Sequence, residues 1–93
     1  MMTGPITERD AMIVNPLGLH ARPAAQMVRL AATFQADVFF NKDGMEVNGK
    51  SIMGVMMLAA ECGSSITIRA AGPDADRAVQ ALAELVAAGF GEM

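Results

Sequence analysis

Asp37-Val38-Phe39-Phe40-Asn41-Lys42-Asp43-Gly44-Met45-Glu46-Val47-Asn48 decides the architecture of this chain. Asp43-Gly44 stands between two runs of alternating character. A tight type I′ turn needs positive φ at both central residues, and Asp-Gly adopts that geometry at little cost. The stretch predicts a β-hairpin with strands over 37–42 and 45–48. Val38 and Phe40 face one side, as do Met45 and Val47. Phe39 faces the other, an aromatic on the open side of the sheet.

Upstream of the hairpin, Met27, Leu30, Ala31 and Phe34 recur at i, i+3, i+4 and i+7. They form one stripe of an amphipathic helix from Ala21 to about Gln35. Thr7 to Val14 reads as a first strand, with Ala11 and Ile13 on one face, and Asn15-Pro16-Leu17-Gly18 is turn chemistry. Downstream, Ser51 is a favoured N-cap for a short helix from Ile52 to about Ala60, closed by Cys62-Gly63. Gly54 inside it costs about 1 kcal/mol relative to Ala. Ser65 to Ala71 alternates Ile66 and Ile68 with Thr67 and Arg69, a half-buried strand. Gly72-Pro73-Asp74 opens a last helix with the stripe Ala78, Leu82, Leu85 and Val86, and Gly89 suits its C-terminal stop.

The order is βαββαβα. Every helix has one apolar stripe and every strand one apolar face. The economical packing is an α+β two-layer sandwich, with three helices on one face of a four-stranded, mostly antiparallel sheet. The chain of 93 residues fits one domain, 1–93, with its core over about 7–90 and a flexible segment at 1–6.

Composition excludes several classes of function. The hydrophobic fraction of 53% argues against disorder, and the formal net charge of −3 argues against a phosphate-backbone binder. With no Trp or Tyr there is little to stack on bases, so no nucleic-acid partner is expected. One Cys and one His form neither a disulfide nor a metal cluster, so no metal or cofactor is expected. The N-terminus lacks a charged segment followed by an apolar run, and the apolar stretch 52–60 is far shorter than the ~20 residues of a membrane span. A cytoplasmic protein without membrane insertion is expected.

The chemistry centres on Gly18-Leu19-His20-Ala21-Arg22-Pro23-Ala24. An isolated histidine at a helix start is most often a cap or a gap filler. Here its neighbours point elsewhere. If the helix begins just after His20, the amides of Ala21 and Arg22 have no intrahelical acceptor, and Pro23 loses no hydrogen bond. The positive helix end attracts anions and disfavours imidazolium, which keeps a ring nitrogen available as a nucleophile. Once a phosphoryl group is on the ring, the amides of Ala21 and Arg22 and the Arg22 guanidinium can hold its oxygens. Ile52, Met53, Met56 and Met57 exceed what so short a helix can bury, which leaves an adaptable docking surface.

The segment 18–24 resembles the active-site signature of the HPr family, the histidine-containing phosphocarriers of the bacterial phosphotransferase system. Asn48-Gly49-Lys50-Ser51-Ile52-Met53-Gly54-Val55-Met56 resembles that family's second signature, around a regulatory serine. The resemblance runs from about Ala11 to Gly91. It implies an open-faced β-sandwich and a carrier, rather than an enzyme, that takes phosphate from enzyme I and passes it to the A domain of enzyme II (enzyme IIA). It implies phosphorylation of His20 at Nδ1, with Arg22 stabilising the phosphate, and regulatory phosphorylation of Ser51 by HPr kinase/phosphorylase. Docking residues carried over are Ala21, Ala25, Arg29, Ile52, Met53 and Met56. A monomer is expected. The alternative is a nitrogen-branch or purely regulatory paralogue whose phosphorylation state selects its partners.

Overall fold

The computed structural model describes residues 5–92. Strand β1 (Ile6–Met12) is followed by helix α1 (Ala21–Ala32), the hairpin β2 (Asp37–Lys42) and β3 (Met45–Asn48), helix α2 (Ile52–Met57), strand β4 (Ser65–Ala71) and helix α3 (Ala75–Ala87). A short 3₁₀ turn (Gly89–Gly91) follows α3. The four strands form one antiparallel sheet in the order β1-β4-β2-β3. The α+β open-faced two-layer fold is as expected.

The hairpin turn adopts the expected geometry, with φ of 53° at Asp43 and 86° at Gly44. Phe40 pairs with Val47 and Ile68, and Phe39 with Asn48 and Arg69. Alternation therefore sorts the sheet into two faces. Val38, Phe40, Ile66, Ile68 and Ala70 are buried beneath the helices, which contribute Ala24, Met27, Ala31, Val55, Ala78, Leu82 and Val86. Each large apolar side chain so buried contributes roughly 1.5–3 kcal/mol. The opposite face is polar. Arg69 on the central strand β4 bridges Glu8 on β1 (2.7 Å) and Glu46 on β3 (2.9 Å), and Thr67 donates to Asp10. Phe39 lies half-buried in this face, directly across from Arg69.

Element ends differ from expectation for identifiable reasons. Strand β1 spans Ile6–Met12 and not Thr7–Val14, because its ladder follows the seven residues of β4. Ile6 thus belongs to the sheet and not to a flexible segment, and residues 1–4 lie outside the described part. Helix α1 stops at Ala32 and not near Gln35. The Thr33 and Phe34 amides bond three residues back, and the Thr33 hydroxyl takes the Leu30 carbonyl at 2.7 Å. Helix α2 stops at Met57 and not Ala60. The chain leaves it at Ala59, in the left-handed region with φ of 49°, before Cys62-Gly63.

Asp74, just before α3, does not cap its own helix. Its carboxylate instead accepts the amides of Gln35 (2.9 Å) and Ala36 (2.8 Å), tying the α1–β2 connection to the start of α3. The Gln35 amide, followed by the Ala36 amide, holds this carboxyl below the usual carboxylate range. A group whose pKa is depressed on folding stabilises the fold above its unfolded pKa and loses that contribution as pH falls. Asp74→Asn is therefore expected to melt below the parent at pH 7. Thermal melts taken at successively lower pH should show that gap closing through the acid range. A gap of constant size would remove the carboxylate from the explanation.

Candidate functional site

The chain turns from β1 into α1 through Asn15-Pro16-Leu17-Gly18. The Gly18 amide bonds Asn15 O at 3.1 Å, and the Leu19 amide bonds Ala60 O at 2.9 Å, which docks the turn onto the segment after α2. Gly18 has φ of 68°, and a Cβ there would stand 2.5 Å from the Ala60 carbonyl oxygen. Only glycine fits this combination of left-handed backbone and close approach. The turn delivers His20 as the N-cap of α1, in extended conformation, with its carbonyl accepting the Ala24 amide at 3.0 Å.

The His20 side chain makes no capping hydrogen bond and is 37% exposed. It is free to act outward, while the backbone alone starts the helix. Helix α1 begins at Ala21, so the Ala21 and Arg22 amides lie in the turn that has no intrahelical acceptors. Pro23, next in line, carries no N–H and is buried.

One partner of the ring was not legible in the sequence. The His20 Nε2 lies 3.0 and 2.9 Å from the two carboxylate oxygens of Glu92. Glu92 Oε1 also accepts from Asn15 Nδ2 at 3.0 Å, and that amide donates to Gly18 O at 2.8 Å. Asn15 is fully buried. The His20 hydrogen bond, then that of Asn15, holds the Glu92 carboxyl below the usual carboxylate range against the opposing effect of burial. The ring therefore lies between two fields of opposite sign, the positive end of α1 and a carboxylate. The expectation of a positive field alone is corrected by this contact.

Two clefts flank the site. One, of about 450 Å³, is lined by Pro16, Leu17, Leu19, His20 and residues 59–62. The other, of about 490 Å³, is lined by Pro16, Leu17, Arg22, Gln26 and residues 90–92. His20 and Arg22 thus open onto neighbouring clefts that share the Pro16-Leu17 wall. Arg22 is exposed, and its charge contributes to the lowering at Glu92.

Ser51 is the N-cap of α2, and its Oγ accepts the Gly54 amide at 3.1 Å, as expected of a capping serine. Helix α2 packs against α1. It exposes Ile52 (45%), Met53 (75%), Met56 (42%) and Met57 (64%), and Leu17 beside the site is 74% exposed. Ala21 and Arg29 are exposed and Ala25 half-buried, at four-residue spacing along one face of α1. In the sequence Asn15 and Leu17 read only as turn residues, and Glu92 carries no reading at all. Gly89-Phe90-Gly91 reverses the chain after α3, but in the sequence Gly89 reads only as a helix stop, with nothing to show that the chain returns to His20.

The chain is similar to proteins of known family along most of its length. A family model described as the PTS HPr component phosphorylation site matches residues 7–88. The Phosphocarrier protein HPr of Cupriavidus necator is 49% identical over 85 residues, which cover 91% of this chain and 96% of that one. The HPr-like protein Crh of Bacillus subtilis is 51% identical over 69 residues, covering 74% of this chain and 81% of that one. Among solved structures, HPr-C-His from Thermoanaerobacter tengcongensis superposes with a TM-score of 0.90 at 41% identity, covering 94% of this chain and 98% of that one.

Proposed function

Because the chain belongs to the HPr family, we propose that it is a phosphocarrier whose His20 accepts a phosphoryl group at Nδ1 from phosphorylated enzyme I and passes it to the A domain of enzyme II. The observation that carries this reading is the state of the His20 ring. It is partly exposed at the mouth of α1, and its Nε2 is engaged by Glu92, so Nδ1 is the nitrogen left to react. The Ala21 and Arg22 amides and the Arg22 guanidinium then hold the phosphate oxygens, as anions are held at helix N-termini. The carrier works in the cytoplasm as a monomer; among the described residues no helix is long and apolar enough to cross a membrane. Incubation with phosphoenolpyruvate and enzyme I tests the reading. Acid-labile phosphate mapped to His20 supports it, and a chain that stays unlabelled refutes it.

Docking of enzyme I and enzyme IIA uses Ala21, Ala25 and Arg29 of α1 with Ile52, Met53 and Met56 of α2. Exposed methionines adapt to more than one partner surface. Ser51 is the regulatory site for HPr kinase/phosphorylase. A phosphate there adds about −1.5 to −2 charges at a helix start, which tolerates anions, yet beside a surface meant for partners. Ser51→Asp is therefore expected to shift the melting temperature by no more than a few degrees while slowing transfer from enzyme I. A variant that unfolds, or one that transfers at the parent rate, contradicts this mechanism.

A second reading is favoured by the likeness to the HPr-like protein Crh of Bacillus subtilis. The chain then acts as a binding module whose phosphorylation state selects partners, in a regulatory or nitrogen-branch setting. Phosphate on Ser51 from ATP and HPr kinase/phosphorylase, with none on His20 from phosphoenolpyruvate and enzyme I, distinguishes it.

A further inference from the structure

Glu92 reaches His20 across 72 residues of sequence, and four features hold it there. Gly89, Phe90 and Gly91 all have positive φ, at 64°, 57° and 74°, which folds the chain back over α1. Phe90 is only 4% exposed, so the strain of a left-handed non-glycine residue is held by burial. Gln26 of α1 donates to the Phe90 carbonyl at 3.2 Å. The helix that presents the imidazole thus also anchors the turn that presents the carboxylate. Asn15, wholly buried, then orients the carboxylate from the other side.

A carboxylate on one imidazole nitrogen requires the proton to be there and leaves the other nitrogen bare. We propose that Glu92 is a positioning residue for phosphoryl acceptance: it fixes the His20 proton on Nε2, exposes the Nδ1 lone pair, and stabilises the charge that the ring gains in the reaction. The proposal deepens the phosphocarrier reading and rests on it. As the Nδ1 lone pair forms the new N–P bond, the bond between phosphorus and the phosphorylated donor breaks, and its electron pair leaves with the donor. The Nε2 proton stays in place, so the ring becomes cationic while facing Glu92. A preorganised negative charge at that point lowers the barrier. Onward transfer reverses the step, with the N–P electron pair returning to Nδ1. The lowered pKa of Glu92 is consistent with a carboxylate that stays ionised throughout.

Two substitutions separate proton placement from charge. Glu92→Gln keeps an acceptor oxygen for the Nε2 proton and removes the charge. Glu92→Ala removes both. Imidazole ¹⁵N NMR in mildly alkaline buffer reads the His20 tautomer directly, and enzyme I-dependent labelling reads the rate. The parent and Glu92→Gln are expected to hold the proton on Nε2, and Glu92→Ala to show a mixture of tautomers. Transfer is expected to slow about tenfold in Glu92→Ala, as for other carboxylates that orient a functional histidine, and less in Glu92→Gln. A parent ring protonated on Nδ1 overturns the proposal, and so does an unchanged rate in Glu92→Ala. If the parent takes no label on His20 at all, the carrier reading itself fails, an outcome distinct from a labelled parent matched in rate by its Glu92 variants.

Discussion

Replacing His20 with alanine is expected to yield a folded protein that takes up no phosphate from enzyme I. The fold survives because this side chain stands outside the buried core and makes no capping bond. The start of α1 depends on the His20 carbonyl and the Ala24 amide, which alanine retains. Glu92 loses one partner but keeps Asn15, so a shift in melting temperature of less than about 5 °C is expected. The chemistry does not survive, because no other imidazole exists in the chain. The Cys62 thiol lines the same cleft, but the contact it makes is to the Val14 carbonyl at 3.7 Å. Circular dichroism melts and acid-labile labelling check the two halves of the prediction separately. Label accumulating on the alanine variant at the parent rate would show that phosphate enters elsewhere.

The second large effect is expected at Gly18. Alanine here meets two separate costs. A left-handed backbone costs an L-residue roughly 1–2 kcal/mol. The added Cβ also stands 2.5 Å from Ala60 O and 3.1 Å from the Glu61 Cα, both backbone atoms that no rotamer change can move aside. The Ala60 carbonyl is the acceptor of the Leu19 amide, so relief of the clash breaks the bond that docks the turn. A total of about 3 kcal/mol is expected, or some 10–20 °C in melting temperature for a domain of this size. Gly63→Ala provides the contrast. Its φ is 93°, but no atom lies within 4 Å of the added Cβ, so only the conformational cost applies. If Gly18→Ala costs no more than Gly63→Ala, the contact with Ala60 is not what holds the turn. Because the turn aims His20, Gly18→Ala should also slow phosphoryl acceptance in the fraction that remains folded.

Most of the architecture was open to a reading of local pattern. The Asp43-Gly44 turn, the four alternating strands, the Ser51 cap and the apolar stripe of α1 each rest on residues within about four positions of one another. The forces involved act over that range as well: turn dihedrals, capping bonds and helix-face periodicity. The helix ends were less legible. Thr33 diverts a carbonyl of α1, and Ala59 leaves α2 in a conformation that alanine seldom adopts. Both outcomes depend on what the following segment is docked against.

The sequence by itself determined that one histidine stands at a helix mouth with glycine before it and arginine and proline after it, over a sheet with one apolar face. Only the tertiary structure decided what that histidine faces. Glu92 meets it across 72 residues and Asn15 meets Glu92 across 77, and Asp74 ties Gln35 and Ala36 across 39 and 38. No periodicity or cap encodes such meetings. They follow from the path of the whole chain, which the buried core imposes when Phe90 is drawn inward and the glycines beside it let the backbone turn back.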